Sequence, residues 1–283
     1  MKILIKRILR DLKNTLVATQ LIILAGVISC APMTPQVHSE ENDKKIALLG
    51  KWTERELNYI ISKASKIQEP GEHIDFISEQ FLGTPYKERT LIGDANTEEV
   101  FVINLEGMDC FTYIDYVEAM RLSSSFSEFE ENLKQVRYQY GEISFQNRNH
   151  FFTDWQIFNR NNVRDVTEEV GGDKVRTVKK NLNKKGDRTY FLPGISPKQR
   201  EIKYIPSDAI DQEVLGRLRT GDYIGIYSDL QGLDVSHTGI VIKNGDKVYL
   251  RHASSRETNR MVVNEDLLSY ISNKPGLVVF RPK

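Results

Sequence analysis

The 283-residue sequence predicts an α+β fold. Three observations carry that expectation. Apolar residues recur at helical spacing through the first half, and short runs rich in Ile, Val, Tyr and Phe crowd the C-terminal part. Between two of those runs sits an Asn244-Gly245 pair, a strong hairpin signal. Helices that precede the strands, instead of alternating with them, imply helices packed on an antiparallel sheet.

The chain begins with a three-part export layout. Lys2, Lys6, Arg7, Arg10 and Lys13 form a basic head, and an apolar stretch runs from Leu16 to Ile28, interrupted by Thr19 and Gln20. The unbroken run Leu21–Ile28 is too short to span a bilayer. It ends Val27-Ile28-Ser29-Cys30, which resembles a bacterial lipobox, with Cys30 as the lipidated residue after removal of residues 1–29. Ordinary cleavage nearby, with Cys30 uninvolved, is the alternative. Lipid-anchored export implies a periplasm-facing protein of the bacterial envelope, on the outer membrane, held by acyl chains that each gain about 0.8 kcal/mol per buried methylene. Residues 30–50 are expected to tether it, since Ala31–Lys45 has little apolar content.

The whole chain carries 39 basic and 39 acidic residues. Residues 1–29 hold five of the basic ones and one acid, Asp11, so the remainder has a net charge of about −4. It has no polybasic tract of the kind that grips nucleic acid, which disfavours a DNA or RNA partner.

The folded part is expected over residues 51–283. Leu57, Ile60, Ile61, Ala64 and Ile67 predict a helix after Thr53. A second spans Ile74 to Phe81 and stops at Gly83-Thr84-Pro85, a third starts at Cys110 with the stripe Ile114, Val117 and Met120, and a fourth covers Ser127 to Tyr140. Residues 160–215 are polar and aperiodic and predict an irregular surface excursion, basic in its first part. Strands follow at Asp222–Tyr227, Thr238–Lys243, Lys247–Arg251 and Leu277–Arg281.

A hairpin closed by Asn244-Gly245 as a type I′ turn sets Lys243 opposite Asp246, and therefore His237 opposite His252. Their Cβ atoms would then lie about 4.5–5.5 Å apart on one sheet face. A one-residue slip would separate them.

Apart from Cys30, the chain has one cysteine, Cys110, with Asp109 placed to cap its helix. A lone thiol there is either a small buried hydrophobe or a nucleophile. A helix N-terminus and a nearby imidazolium both favour a thiolate, a second histidine can orient the first, and N–H groups at the helix start can stabilise an oxyanion.

The ordered motifs resemble the NlpC superfamily of papain-like cysteine peptidases, which cut bacterial cell-wall peptides. They are Leu82-Gly83-Thr84-Pro85-Tyr86, Asp109-Cys110, Gly221-Asp222, Ser236-His237-Thr238-Gly239-Ile240 and His252-Ala253-Ser254. The resemblance implies a papain-like domain with the nucleophile helix on the sheet, Cys110 as nucleophile, His237 as general base and His252 as its orienting residue. Tyr86 would lie beside the thiol, facing the substrate, and Gly221-Asp222 would be structural. Asp-Cys-Phe-Thr in place of Asp-Cys-Ser-Gly, the longer gap from Tyr86 to Cys110 and the extra excursion look more like the branch acting as N-acetylmuramoyl-L-alanine amidase. Asn149-His150-Phe151-Phe152-Thr153-Asp154-Trp155 is similar to a segment of that branch, which makes His150, Asp154 and Trp155 candidates for lining the cleft. The implied substrate is peptidoglycan or a muramyl peptide, with no metal or organic cofactor. An endopeptidase cutting between D-glutamate and the diamino acid is the alternative reaction. A zinc-binding or purely peptidoglycan-binding lipoprotein is the alternative of another class.

Overall fold

The computed structural model describes residues 44–283, so the export signal, Cys30 and residues 30–43 of the expected tether lie outside the described residues. The tether expectation is too long. Lys45–Leu48 is already a strand, β1, which pairs in parallel with a strand (β2) at Phe101–Asn104.

Four helices then build one layer. The first, α1 (Glu54–Ala64), starts at Thr53 through a reciprocal cap: the Glu56 N–H donates to Thr53 Oγ1, and Glu56 Oε2 accepts from the Thr53 N–H. The second, α2 (Pro70–Glu79), has Pro70 in its first turn, where the missing N–H costs nothing. The third, α3 (Cys110–Arg121), opens at the expected cysteine, and Thr112, Tyr113, Ile114, Tyr116, Val117 and Met120 are buried along it. The fourth, α4 (Phe126–Arg137), ends three residues earlier than expected because Tyr138 turns extended.

After α5 (Phe152–Phe158), the predicted irregular excursion proves to be ordered. It holds β3 (Val163–Asp165), a short helix α6 (Thr167–Gly171), a long hairpin β4 (Arg176–Leu182) and β5 (Lys198–Pro206), and α7 (Gln212–Arg217). The pattern was hidden because β4 is an edge strand rich in charge, with Arg176 and Lys179 facing solvent, a composition that discourages further pairing but reads as loop.

The remaining strands are β6 (Tyr223–Tyr227), β7 (Val235–Asn244), β8 (Lys247–Ala253), β9 (Val262–Asp266) and β10 (Gly276–Pro282), with the short helix α8 (Leu267–Ile271) between the last two. The sheet order is β4-β5-β10-β6-β7-β8-β9, with β3 also on β10, and every neighbouring pair is antiparallel. The α+β class is therefore what the chain adopts.

The sheet is buried on both faces. Tyr223, Ile240, Ile242, Val278 and Phe280 pack with the α1–α4 layer, whereas Ile224, Val241, Leu250, Leu277 and Val279 pack with residues of α6, α7 and α8. The alternation follows the two-residue period of the pleat. Among the described residues, no helix is long and apolar enough to cross a membrane.

Candidate active site

Asp109 sets the start of α3. Its Oδ1 accepts from the N–H groups of Phe111 (3.0 Å) and Thr112 (2.7 Å) and from Thr112 Oγ1 (2.9 Å), while Thr112 Oγ1 accepts from the Asp109 N–H (3.1 Å). The Asp-Cys-Phe-Thr sequence is thus a capping box whose third helical residue is threonine. The cap consumes two of the N–H groups that the sequence offered to an oxyanion. The Cys110 N–H, which lies against its own sulfur, and the Tyr86 hydroxyl are the donors left.

Cys110 is half-buried and free. The Thr238 hydroxyl donates to its carbonyl at 2.7 Å, tying the helix start to the β7 residue that follows His237. Burial pushes the Cys110 thiol up to about 12, with the Asp109 carboxylate adding to the effect, and the polar groups of Thr238 and the Cys110 N–H work against it. Tyr86 pairs with Met108, two residues before the thiol: burial, then the charges of Cys110 and Asp109, push its hydroxyl up to about 12, and the Arg260 guanidinium over its ring opposes them.

The two histidines meet, but not as expected. The hairpin loop is Gly245-Asp246, and Asn244 pairs with Lys247, not within the turn. Only Gly245 takes a positive φ, +58°, as in a type II′ turn with glycine first. Continued one step, this register puts His252 opposite Gly239 and leaves His237 diagonal to it. The displacement is two residues, so both stay on one face. His237 Nε2 lies 2.6 Å from His252 Nδ1. Both rings lie near Tyr270 of α8, His237 tilted at 5.9 Å and His252 edge-on at 5.0 Å between centroids. The Tyr270 hydroxyl is pushed up to about 12 by burial, which the Arg256 guanidinium opposes and the Cys110 charge reinforces.

Gly239 makes the diagonal contact possible. A Cβ there would lie 2.7 Å from Leu250 Cδ1 and 2.9 Å from the His252 Cβ. Gly239→Ala is expected to displace His252 and cost about 1–3 kcal/mol. Urea unfolding together with turnover of the purified variant checks this, and a fully active, equally stable variant would contradict it.

Burial, reinforced by the Lys274 and Arg256 charges, holds His237 down to about 4, and burial with the charges of His237 and Arg256 holds His252 down to about 3. His73 and His150 are likewise held to about 4, chiefly by burial. Each folded value lies below the ordinary value of about 6.5, so the unfolded chain takes the proton first. Stability is therefore complete above about pH 6.5 and is withdrawn as the pH falls toward 4. The urea midpoint should be flat between pH 7 and 8 and drop below pH 6; a midpoint that rises on acidification would refute this.

The other expected site residues separate. Trp155 is fully buried, and its Nε1 donates to Asp115 Oδ1 at 3.1 Å, so it belongs to the core and not to a cleft wall. Asp154 is also fully buried, its carboxylate held by Lys198 (2.8 Å) and Arg200 of β5. Both had been expected to meet substrate, and both are turned inward because α5 is sandwiched between the α3 layer and the hairpin. His150 is half-buried, its Nε2 2.7 Å from the Phe145 carbonyl and its ring against the Phe145 ring. Phe145 helps line a cleft of about 730 Å³ that includes Asp109, Arg89 and Arg148. Leu192 and Pro193, from the β4–β5 connection, form another part of that wall, so the excursion borders the cleft that Asp109 lines.

One neighbour went unread in the sequence. Glu265 on β9 lies with Oε1 3.1 Å from His252 Nε2. Its strand, Val-Val-Asn-Glu-Asp, has too few apolar residues to announce itself, and only pairing with β8 brings the carboxylate to the histidines.

A family model described as AmiA-like, N-acetylmuramoyl-L-alanine amidase-like, matches residues 76–277. Among solved structures, a Legionella pneumophila protein superposes with a TM-score of 0.69 at 22% identity, over 81% of this chain and 94% of that one. An N-acetylmuramoyl-L-alanine amidase from Bacteroides uniformis superposes with a TM-score of 0.64 at 29% identity, over 76% of this chain and 99% of that one. No curated protein matches.

Proposed function

Because this chain belongs to the AmiA-like, N-acetylmuramoyl-L-alanine amidase-like family, we propose that it hydrolyses the amide between N-acetylmuramic acid and L-alanine in peptidoglycan or its fragments. Cys110 is the nucleophile and His237 the general base. The observation that carries this reading is the thiol at a capped helix start, tied through Thr238 to a strand whose preceding residue, His237, is hydrogen-bonded to His252.

A thiol pushed up and an imidazole held down form a neutral resting pair. The proton therefore moves from sulfur to His237 as the sulfur attacks the lactyl carbonyl, not beforehand. The new C–S bond creates an oxyanion beside the Cys110 N–H and Tyr86. His237 then returns the proton to the alanine nitrogen as the C–N bond breaks, leaving a muramoyl thioester and free stem peptide. Water, deprotonated by His237, cleaves the thioester to the muramic acid carboxylate and restores the thiol.

The wider assignment rests on the sequence motifs. We read the α3–sheet unit as a papain-like domain of the NlpC superfamily, with Tyr86 facing substrate. We read the chain as anchored through lipid on Cys30 in the periplasm-facing envelope. Cys30→Ala should move the protein from the membrane to the soluble fraction on cell fractionation.

Mass analysis of products from a defined muramyl peptide tests the reaction. Free sugar acid plus an intact stem peptide is expected. A stem split after D-glutamate would mean the endopeptidase reaction. A zinc- or wall-binding lipoprotein would release nothing and would be indifferent to thiol alkylation. Among the described residues, no three His, Cys, Asp or Glu side chains gather as a cation set.

A further inference from the structure

We propose that Glu265 is a positioning residue that sets the direction of the histidine hydrogen bonds and makes Nδ1 the basic atom of His237. The inference rests on reading His237 as the general base and adds which nitrogen acts and what selects it.

Glu265 is surrounded by donors. Arg256 Nη1 lies 2.5 Å from Oε2, and Ser254 Oγ (3.3 Å), Asn259 Nδ2 (3.5 Å) and His252 Nε2 (3.1 Å) converge on Oε1. The Arg256 guanidinium also lies over the Tyr270 ring, 4.6 Å from its centroid, which places it against the same cluster. A carboxylate in that setting can only accept, so His252 must carry its proton on Nε2. In the neutral ring Nδ1 is then a lone pair. At 2.6 Å from that lone pair, His237 Nε2 must be the donor. The second nitrogen of His237, Nδ1, keeps its lone pair, and it is the atom that the general-base reading assigns to the thiol proton.

The reverse polarity would point the His252 Nε2 lone pair at the Glu265 lone pairs, with no proton between them. The chain Glu265–His252–His237 therefore has one stable direction. When His237 takes the Cys110 proton, its Nε2–H keeps donating to His252, and the Glu265 charge lies at the far end of the same line to offset the imidazolium.

Nitrogen NMR of the full chain carrying 15N-histidine reads this without substrate, with His237→Gln and His252→Gln spectra assigning the signals. Both rings should be protonated on Nε2, with an unprotonated Nδ1. Glu265→Gln retains an amide oxygen that can accept and should keep this tautomer pattern, while the lost charge lowers kcat by less than Glu265→Ala does. Glu265→Ala should give a tautomer mixture at His237 and lower kcat by at least about tenfold with KM little changed. Wild-type His237 protonated on Nδ1 would overturn the proposal, as would Glu265→Ala with tautomer and kcat unaltered. If Glu265→Ala does not fold, the wild-type tautomer decides the matter. Absence of amidase turnover in the wild type would instead sink the functional reading and leave the tautomer measurement standing.

Discussion

Replacing Cys110 with alanine should lower kcat by at least about 10⁴-fold while leaving the fold intact, because the attacking atom is gone and the residual rate comes only from binding and oxyanion donors. The change removes one half-buried sulfur at a helix start whose cap is made by Asp109 and Thr112, not by the cysteine. The Thr238 bond goes to the Cys110 carbonyl and survives the substitution. Unaltered thermal unfolding with no product release is the expected pair of results. Retained turnover by purified Cys110→Ala protein would end the cysteine mechanism.

The second large effect is on stability. Asp115 lies in α3 five residues after the thiol, and its carboxylate binds Arg137 Nε at 3.0 Å and Trp155 Nε1 at 3.1 Å. Arg137 also donates to the Val102 carbonyl at 2.5 Å, and all three side chains are buried. Burial pushes the Asp115 carboxyl up to about 6 even with the Arg137 guanidinium pulling it down, a sign of how little water reaches this site. Asp115→Ala would strand a buried guanidinium and an indole N–H without an acceptor. The expected loss is about 3–5 kcal/mol, the range for removing one partner of a buried ion pair. Urea unfolding measures it, and a loss below about 1 kcal/mol would show that water can enter and solvate Arg137. Since the network joins α3 to α4 and α5, Asp115→Ala should also weaken activity by loosening the helix that carries Cys110.

Much of the helical layer was legible because its physics is local. Thr53 and Asp109 bond N–H groups two to three residues ahead, and the apolar stripe from Ile114 to Met120 needs only the helical repeat. The hairpin was legible in kind. Its register was not, because Asn244-Gly245 and Gly245-Asp246 are both acceptable two-residue loops, and strand pairing on both sides chooses between them. Residues 160–215 were misread since four of the seven β4 side chains face solvent and the segment is a strand only through its pairing with β5. Trp155 and Asp154 were misplaced for the converse reason: an aromatic and an acid beside a candidate site read alike whether they face a cleft or a core. Burial against Asp115, Lys198 and Arg200 is a long-range fact.

By itself the sequence determined the class of fold, the capped helix that opens on Cys110, and the sharing of one strand face by His237 and His252. All three follow from interactions a few residues long, or from a two-residue parity that survives a shifted turn. Only the tertiary structure decided that the histidines meet diagonally past Gly239, that Thr238 locks the helix start to β7, and that Glu265 from β9 faces His252. Those contacts join residues 13 to 128 positions apart. The side chains that make them are ordinary in isolation and acquire their chemistry from the strands and helix that bring them within hydrogen-bond reach.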